Sequence, residues 1–171
     1  MKKNIVLCGF MGSGKSTVGK LLAEKMGRKL IDTDAYIVKK ENMPISQIFA
    51  EKGEAYFRAC ETQVCKELSQ LSGCIISTGG GTLLREENVT EMKKNGIVFL
   101  LDVNADTVLA RLKFDNTRPL LQREDKETAV RSLMEQRIPL YCRAADHVIN
   151  AAVPPWQICN KIMDIYNNSV S

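Results

Sequence analysis

A chain of 171 residues with 44% hydrophobic and 26% charged content has the size and make-up of one soluble globular domain. Its net charge of +4, from 24 basic and 20 acidic residues, is too mild to argue for nucleic acid and suits anionic small molecules equally well. No segment reaches the run of about 18 apolar residues that crosses a bilayer, and residues 5–8 are too short for a signal-peptide core. We therefore expect a cytoplasmic protein with no membrane partner. The six cysteines form no C-x-x-C pair and only one histidine, His147, is present, so a zinc site is not expected and the thiols should be reduced.

Apolar, β-branched runs alternate with helix-period segments along the chain. Residues 4–8 predict a strand. Val18, Leu21, Leu22 and Met26 then share one helical face, stopped by Gly27. Leu30 and Ile31 form a short strand ending at Asp32. Residues 35–53 are helical but interrupted around Asn42 and Pro44. A longer helix turns Phe57, Cys60, Val64, Leu68 and Leu71 inward and stops at Ser72 and Gly73. Residues 74–77 form a third strand running into Thr78, Gly79, Gly80 and Gly81, and a short helix spans about 88–94. Residues 97–101 are a continuous apolar strand, as expected when both faces are buried. Asn104 caps a helix to Leu112. Residues 113–125 are polar and aperiodic. A helix follows to about Ala144, which Pro139 should kink or divide, then a strand at 146–149 and a last helix opened by Pro154, Pro155 and Trp156. This alternation implies an α/β domain with a parallel sheet covered on both faces.

The chemistry is concentrated in Gly-Phe-Met-Gly-Ser-Gly-Lys-Ser-Thr, residues 9–17. Gly9, Gly14, Lys15 and Ser16 satisfy every defined position of the Walker A loop, between a strand and a helix. Glycines let backbone N–H groups approach phosphate oxygens, and the helix N-terminus adds positive potential. Lys15 can reach the β and γ phosphates, and Ser16 can ligate magnesium. No guanine-reading Asn-Lys-x-Asp is present. The third strand ends in Thr-Gly-Gly-Gly where many P-loop proteins carry an acid. Asp32 and Asp34 fill that gap: they follow the second strand at the carboxyl end, where open α/β sheets bind ligands. Asp32 would hold magnesium through water, and Asp34 would face an acceptor hydroxyl.

At this point the chain resembles the shikimate kinases over nearly its whole length. The resemblance rests on the P-loop, on Ile31-Asp32-Thr33-Asp34, and on Gly53-Glu54-x-x-Phe57-Arg58-x-x-Glu61. It continues through Thr78-Gly79-Gly80-Gly81, Thr117-Arg118-Pro119-Leu120-Leu121 and Arg137-x-Pro139-Leu140-Tyr141. It implies a single P-loop domain over residues 1–171: a three-layer α/β sandwich with a five-stranded parallel sheet of order 2-3-1-4-5. It further implies a shikimate-binding segment at 33–61 and a short lid at 113–125. The implied reaction moves the γ-phosphoryl of MgATP to the 3-hydroxyl of shikimate. Asp34, Lys15 and Arg118 would be catalytic. Gly12, Ser13, Gly14, Lys15, Ser16, Thr17, Arg111, Arg118 and Pro155 would hold ATP, with Arg111 and Pro155 at the adenine. Asp34, Arg58, Arg137 and the glycines Gly79, Gly80 and Gly81 would bind shikimate, with Glu61 orienting Arg58. Ser16 and Asp32 would serve the metal. A monomer is expected, with no nucleic-acid partner. The rival readings are a gluconate kinase-like enzyme and a nucleotide switch without acceptor.

Overall fold

The computed structural model describes residues 2–115, 122 and 124–171. The expected Arg118, and the Thr117–Leu121 motif around it, lie outside the described residues. The sheet is five-stranded, in the order β2-β3-β1-β4-β5, and every pairing is parallel. β1 (Asn4–Cys8) is central, between β3 (Ile75–Ser77) and β4 (Gly96–Asp102). β2 (Leu30–Asp32) and β5 (His147–Asn150) form the edges.

All five residues of β1 are buried, as are the first six of β4. Successive side chains point to opposite faces, so helices must cover both. α1 (Lys15–Met26) packs on α8 (Pro155–Val170), while α5 (Glu86–Lys94) and α7 (Lys126–Ala144) pack on β4. The middle of the chain contributes α2 (Thr33–Glu41), α3 (Ile45–Lys52) and α4 (Glu54–Leu68), and α6 is Ala105–Arg111. The break between α2 and α3 falls where Asn42 takes a left-handed φ of 51° and Pro44 caps α3. Asn104 Oδ1 accepts from Thr107 N at 2.8 Å, the expected cap of α6.

Two local expectations fail. α4 ends at Leu68, one turn early, and Ser69 Oγ donates to the carbonyl of Lys66; Leu71 is therefore exposed instead of inward. Pro139 does not divide α7, which runs unbroken because Val130 and Met134 on one side and Tyr141 and Ala144 on the other are all buried in the core. Register then places the site. Leu7 and Asp32 both align with Ser77, so the carboxyl ends of β1, β2 and β3 stop level. The loops that follow them share one edge of the sheet.

Candidate active site

One cavity of about 410 Å³ opens on that edge. Its donor side is the P-loop and the first turn of α1: Gly12, Gly14, Lys15, Ser16 and Thr17 all line it. Gly14 adopts φ 94° as the N-cap of α1, a conformation closed to most side chains, and no side chain caps the helix there. The positive end of α1 therefore faces the cleft. Lys15 Nζ curls over the loop, donating to the carbonyls of Gly9 at 2.6 Å and Phe10 at 3.2 Å. Ser13 is different: its Oγ is buried without a hydrogen-bond partner, its N–H donates to Phe10 O, and its side chain does not line the cavity.

Asp32 closes this side. Its Oδ1 accepts from Ala35 N at 2.9 Å, so it caps α2 while lining the same cavity as Ser16. A cap and a ligand-facing carboxylate are thus one residue. Among the described residues no group of three or more His, Cys, Asp or Glu side chains could hold a metal. One hydroxyl and one carboxylate beside a phosphate loop is the donor set of a magnesium ion that keeps most of its waters.

The acceptor side is built around three glycines. A Cβ on Gly79 would stand 2.5 Å from Asp34 Oδ1, and one on Gly80 would stand 3.5 Å from Arg137 Nη1. A Cβ on Gly81 would overlap the Arg58 guanidinium. Gly79 and Gly81 thus make room for side chains of α2 and α4, while Gly80 lies in ordinary contact with Arg137 of α7. Ile45 and Phe57 supply apolar wall to the same cavity.

Arg58 is held by Glu61, whose Oε2 accepts from its Nη1 at 2.7 Å; they are three residues apart on α4, as the spacing predicts. Glu61 is only 1% exposed. Its Oε1 accepts from Thr82 Oγ1 at 2.8 Å, Thr82 O accepts from Asn88 Nδ2, and Asn88 Oδ1 accepts from Thr62 Oγ1. Burial disfavours the Arg58 charge, but the Glu61 hydrogen bond and charge outweigh it, and the guanidinium is held above its ordinary pKa. Arg58 is thus a fixed positive charge on the wall of the cavity.

Arg111 and Pro155 do not line the cavity. Arg111 Nη1 donates to Gly12 O at 2.9 Å and Nη2 to Ala151 O at 2.7 Å, tying the P-loop to the segment after β5. Pro155 opens α8 a few residues on. Three residues at the site had no role on sequence reasoning. Thr33 Oγ1 accepts from Gly79 N at 2.9 Å, Tyr141 OH donates to Gly80 O at 2.5 Å, and Thr82 engages Glu61. Thr33 and Tyr141 stood inside motifs already singled out, but only tertiary contact reveals what they touch.

A phosphate loop, two carboxylates after β2 and a pair of arginines across one cavity define a P-loop kinase acting on a small anionic acceptor. The sequence profile of the shikimate kinase family matches residues 11–167. A shikimate kinase of Caldicellulosiruptor saccharolyticus is 46% identical over 165 residues, covering 96% of this chain and 95% of that protein. The chain belongs to the shikimate kinase family. Among solved structures, the shikimate kinase from Acinetobacter baumannii in complex with shikimate superposes with a TM-score of 0.91 at 36% identity, covering 99% of this chain and 95% of that one. A gluconokinase from Sinorhizobium meliloti superposes at TM-score 0.60 and 14% identity, covering 97% and 92%, which is a likeness of fold alone.

Proposed function

We propose that this chain transfers the γ-phosphoryl of MgATP to the 3-hydroxyl of shikimate, with the residues of the one cavity in the roles their placement supports. The observation that carries this reading is that Asp34, Arg58 and Arg137 surround the three glycines in the same cavity as Lys15 and Ser16. Arg58 and Arg137 clamp the carboxylate, since guanidinium forks match a planar anion. Asp34 orients the acceptor hydroxyl and takes its proton as the oxygen bonds to the γ-phosphorus and the bond to the β-phosphate oxygen breaks. The backbone of Gly12 and Gly14, with Ser13 and Thr17, cradles the phosphates, and Lys15 neutralises charge on the oxygens in transit.

Ser16 would ligate a magnesium ion and Asp32 would hold its waters, and the ion would supply positive charge against the phosphate oxygens. Arg111 and Pro155 would serve the adenine side, and Arg118, by its motif match alone, would neutralise charge on the nucleotide phosphates. Residues 33–61 form the acceptor-binding segment. The chain is read as a monomer, and a net charge of only +4 gives no ground for a nucleic-acid partner. The six free thiols are in keeping with the cytoplasm. No helix among the described residues is long and apolar enough to cross a membrane.

The test is ADP release measured with shikimate and with gluconate as acceptors. Shikimate-dependent turnover is expected. Turnover of gluconate but not shikimate, or ATP hydrolysis indifferent to shikimate, would overturn the assignment.

A further inference from the structure

The three glycines pose a mechanical problem. A Cβ on Gly79 or Gly81 would overlap Asp34 or Arg58, yet three glycines in succession are the most flexible tripeptide a chain can have. A loop this free cannot by itself hold Asp34, Arg58 and Arg137 at a set spacing. The structure meets this with hydrogen bonds, and each comes from an element that also supplies a group at the loop. On α2, Thr33 Oγ1 accepts from Gly79 N at 2.9 Å, and the next residue is Asp34. On α7, Tyr141 OH donates to Gly80 O at 2.5 Å, one turn beyond Arg137. On α4, Glu61 takes Thr82 with one oxygen and Arg58 with the other.

We infer that Thr33 and Tyr141 are positioning residues for the acceptor: they fix the glycine segment between Asp34 and Arg137 and so set the separation between the reacting hydroxyl and the clamped carboxylate. Both are suited to the task. Thr33 is fully buried, so its hydroxyl has no solvent to turn to if Gly79 moves away. Tyr141 is 1% exposed, and a Cβ on Gly80 would lie 3.9 Å from its hydroxyl and 3.5 Å from Arg137 Nη1, so the three groups meet at one point. Burial raises the Tyr141 pKa, against a smaller opposing effect of Arg137, and the phenol keeps the proton it donates. The two pins act on different halves of the substrate. Thr33 adjoins the carboxylate at the reacting hydroxyl, and Tyr141 adjoins the arginine at the far anion.

The inference rests on the proposed roles of Asp34 and Arg137, and the experiment separates the two. Steady-state kinetics with both substrates varied, and thermal melting, are measured for Thr33→Val, Thr33→Ser, Tyr141→Phe and Arg137→Ala. Tyr141→Phe is expected to raise the shikimate KM about tenfold with kcat and the ATP KM little changed, because displacement of a positioning contact is felt where it acts. Thr33→Val is expected to lower kcat as well as raise that KM, and Thr33→Ser, which restores the hydroxyl, is expected to recover both. A shikimate KM unchanged in Tyr141→Phe while Arg137→Ala raises it would overturn the inference alone. So would a failure of Thr33→Ser to rescue, or losses that follow the melting temperature and affect both substrates alike. A wild-type shikimate KM in Arg137→Ala would overturn the reading beneath it.

Discussion

Gly79 faces the Asp34 carboxylate so closely that a Cβ at Gly79 would come within 2.5 Å of Oδ1. The requirement is for space, since the backbone there is not in the left-handed region. Gly53 is the opposite case: its φ is 84°, and a Cβ would meet nothing within 4 Å. The first glycine is shaped by a functional neighbour and the second by a helix junction. Gly79→Ala should therefore displace Asp34, abolish most turnover and cost roughly 1–3 kcal/mol of stability as an overpacked site does. Denaturant unfolding and turnover of the same preparation check it; an unperturbed kcat would show that the carboxylate has no need of that space.

Asp34→Asn keeps the shape and removes the charge. Turnover should fall by at least about 10²-fold if the carboxylate receives the hydroxyl proton. ATP binding, measured by titration without acceptor, should stay largely intact, because the P-loop contacts are untouched. Near-normal turnover would remove Asp34 from the chemistry.

In the proposed reading, the Arg58–Glu61 ion pair serves both stability and substrate recognition. Arg58→Ala should weaken shikimate binding by about 2–5 kcal/mol, as loss of a desolvated charge contact does. It also strands a carboxylate that is 1% exposed, and breaking such a pair costs on the order of 3 kcal/mol of stability. The double variant Arg58→Met with Glu61→Leu should recover much of the stability and none of the affinity. Melting curves and shikimate titrations on the three proteins decide it; affinity returning with stability would show that Arg58 acts only through folding.

The buried thiols make a pH prediction. Cys8 and Cys65 are pushed up to about 12 from an ordinary 9.0, chiefly by burial. A folded-state pKa above the unfolded value means that unfolding releases protons at alkaline pH. The contribution is fully present below about pH 9 and is lost as pH rises from there toward 12. The denaturation midpoint should fall across that window, and fall less steeply in Cys8→Ala and Cys65→Ala. Cys142 is the exposed thiol and should react first with a thiol reagent on the native protein.

Much of the site was legible in the sequence because its signals are local. The P-loop is a contiguous turn whose glycines act through their backbone and whose lysine and serine follow directly in sequence. Asp32 and Asp34 adjoin a strand end, and Glu61 lies three residues from Arg58 on one helix, a spacing that brings side chains together without help from the rest of the fold. The burial of β4 was readable as well, since a strand covered on both faces must be apolar throughout.

What the sequence by itself determined, then, is the donor loop, the class of fold and the inventory of charged groups, because each depends on short-range geometry or on hydrophobic period. Only the tertiary structure decided which glycine accommodates which side chain, that Asp32 caps a helix while facing the cleft, and that Thr33 and Tyr141 hold the loop. Tyr141 and Gly80 are 61 residues apart and meet only because helices pack against the sheet in one register. Leu71 makes the same point in reverse: helical period turned it inward, but Ser69 ended the helix first and left it in solvent. Period reports which face a residue would take, and packing decides where the element stops.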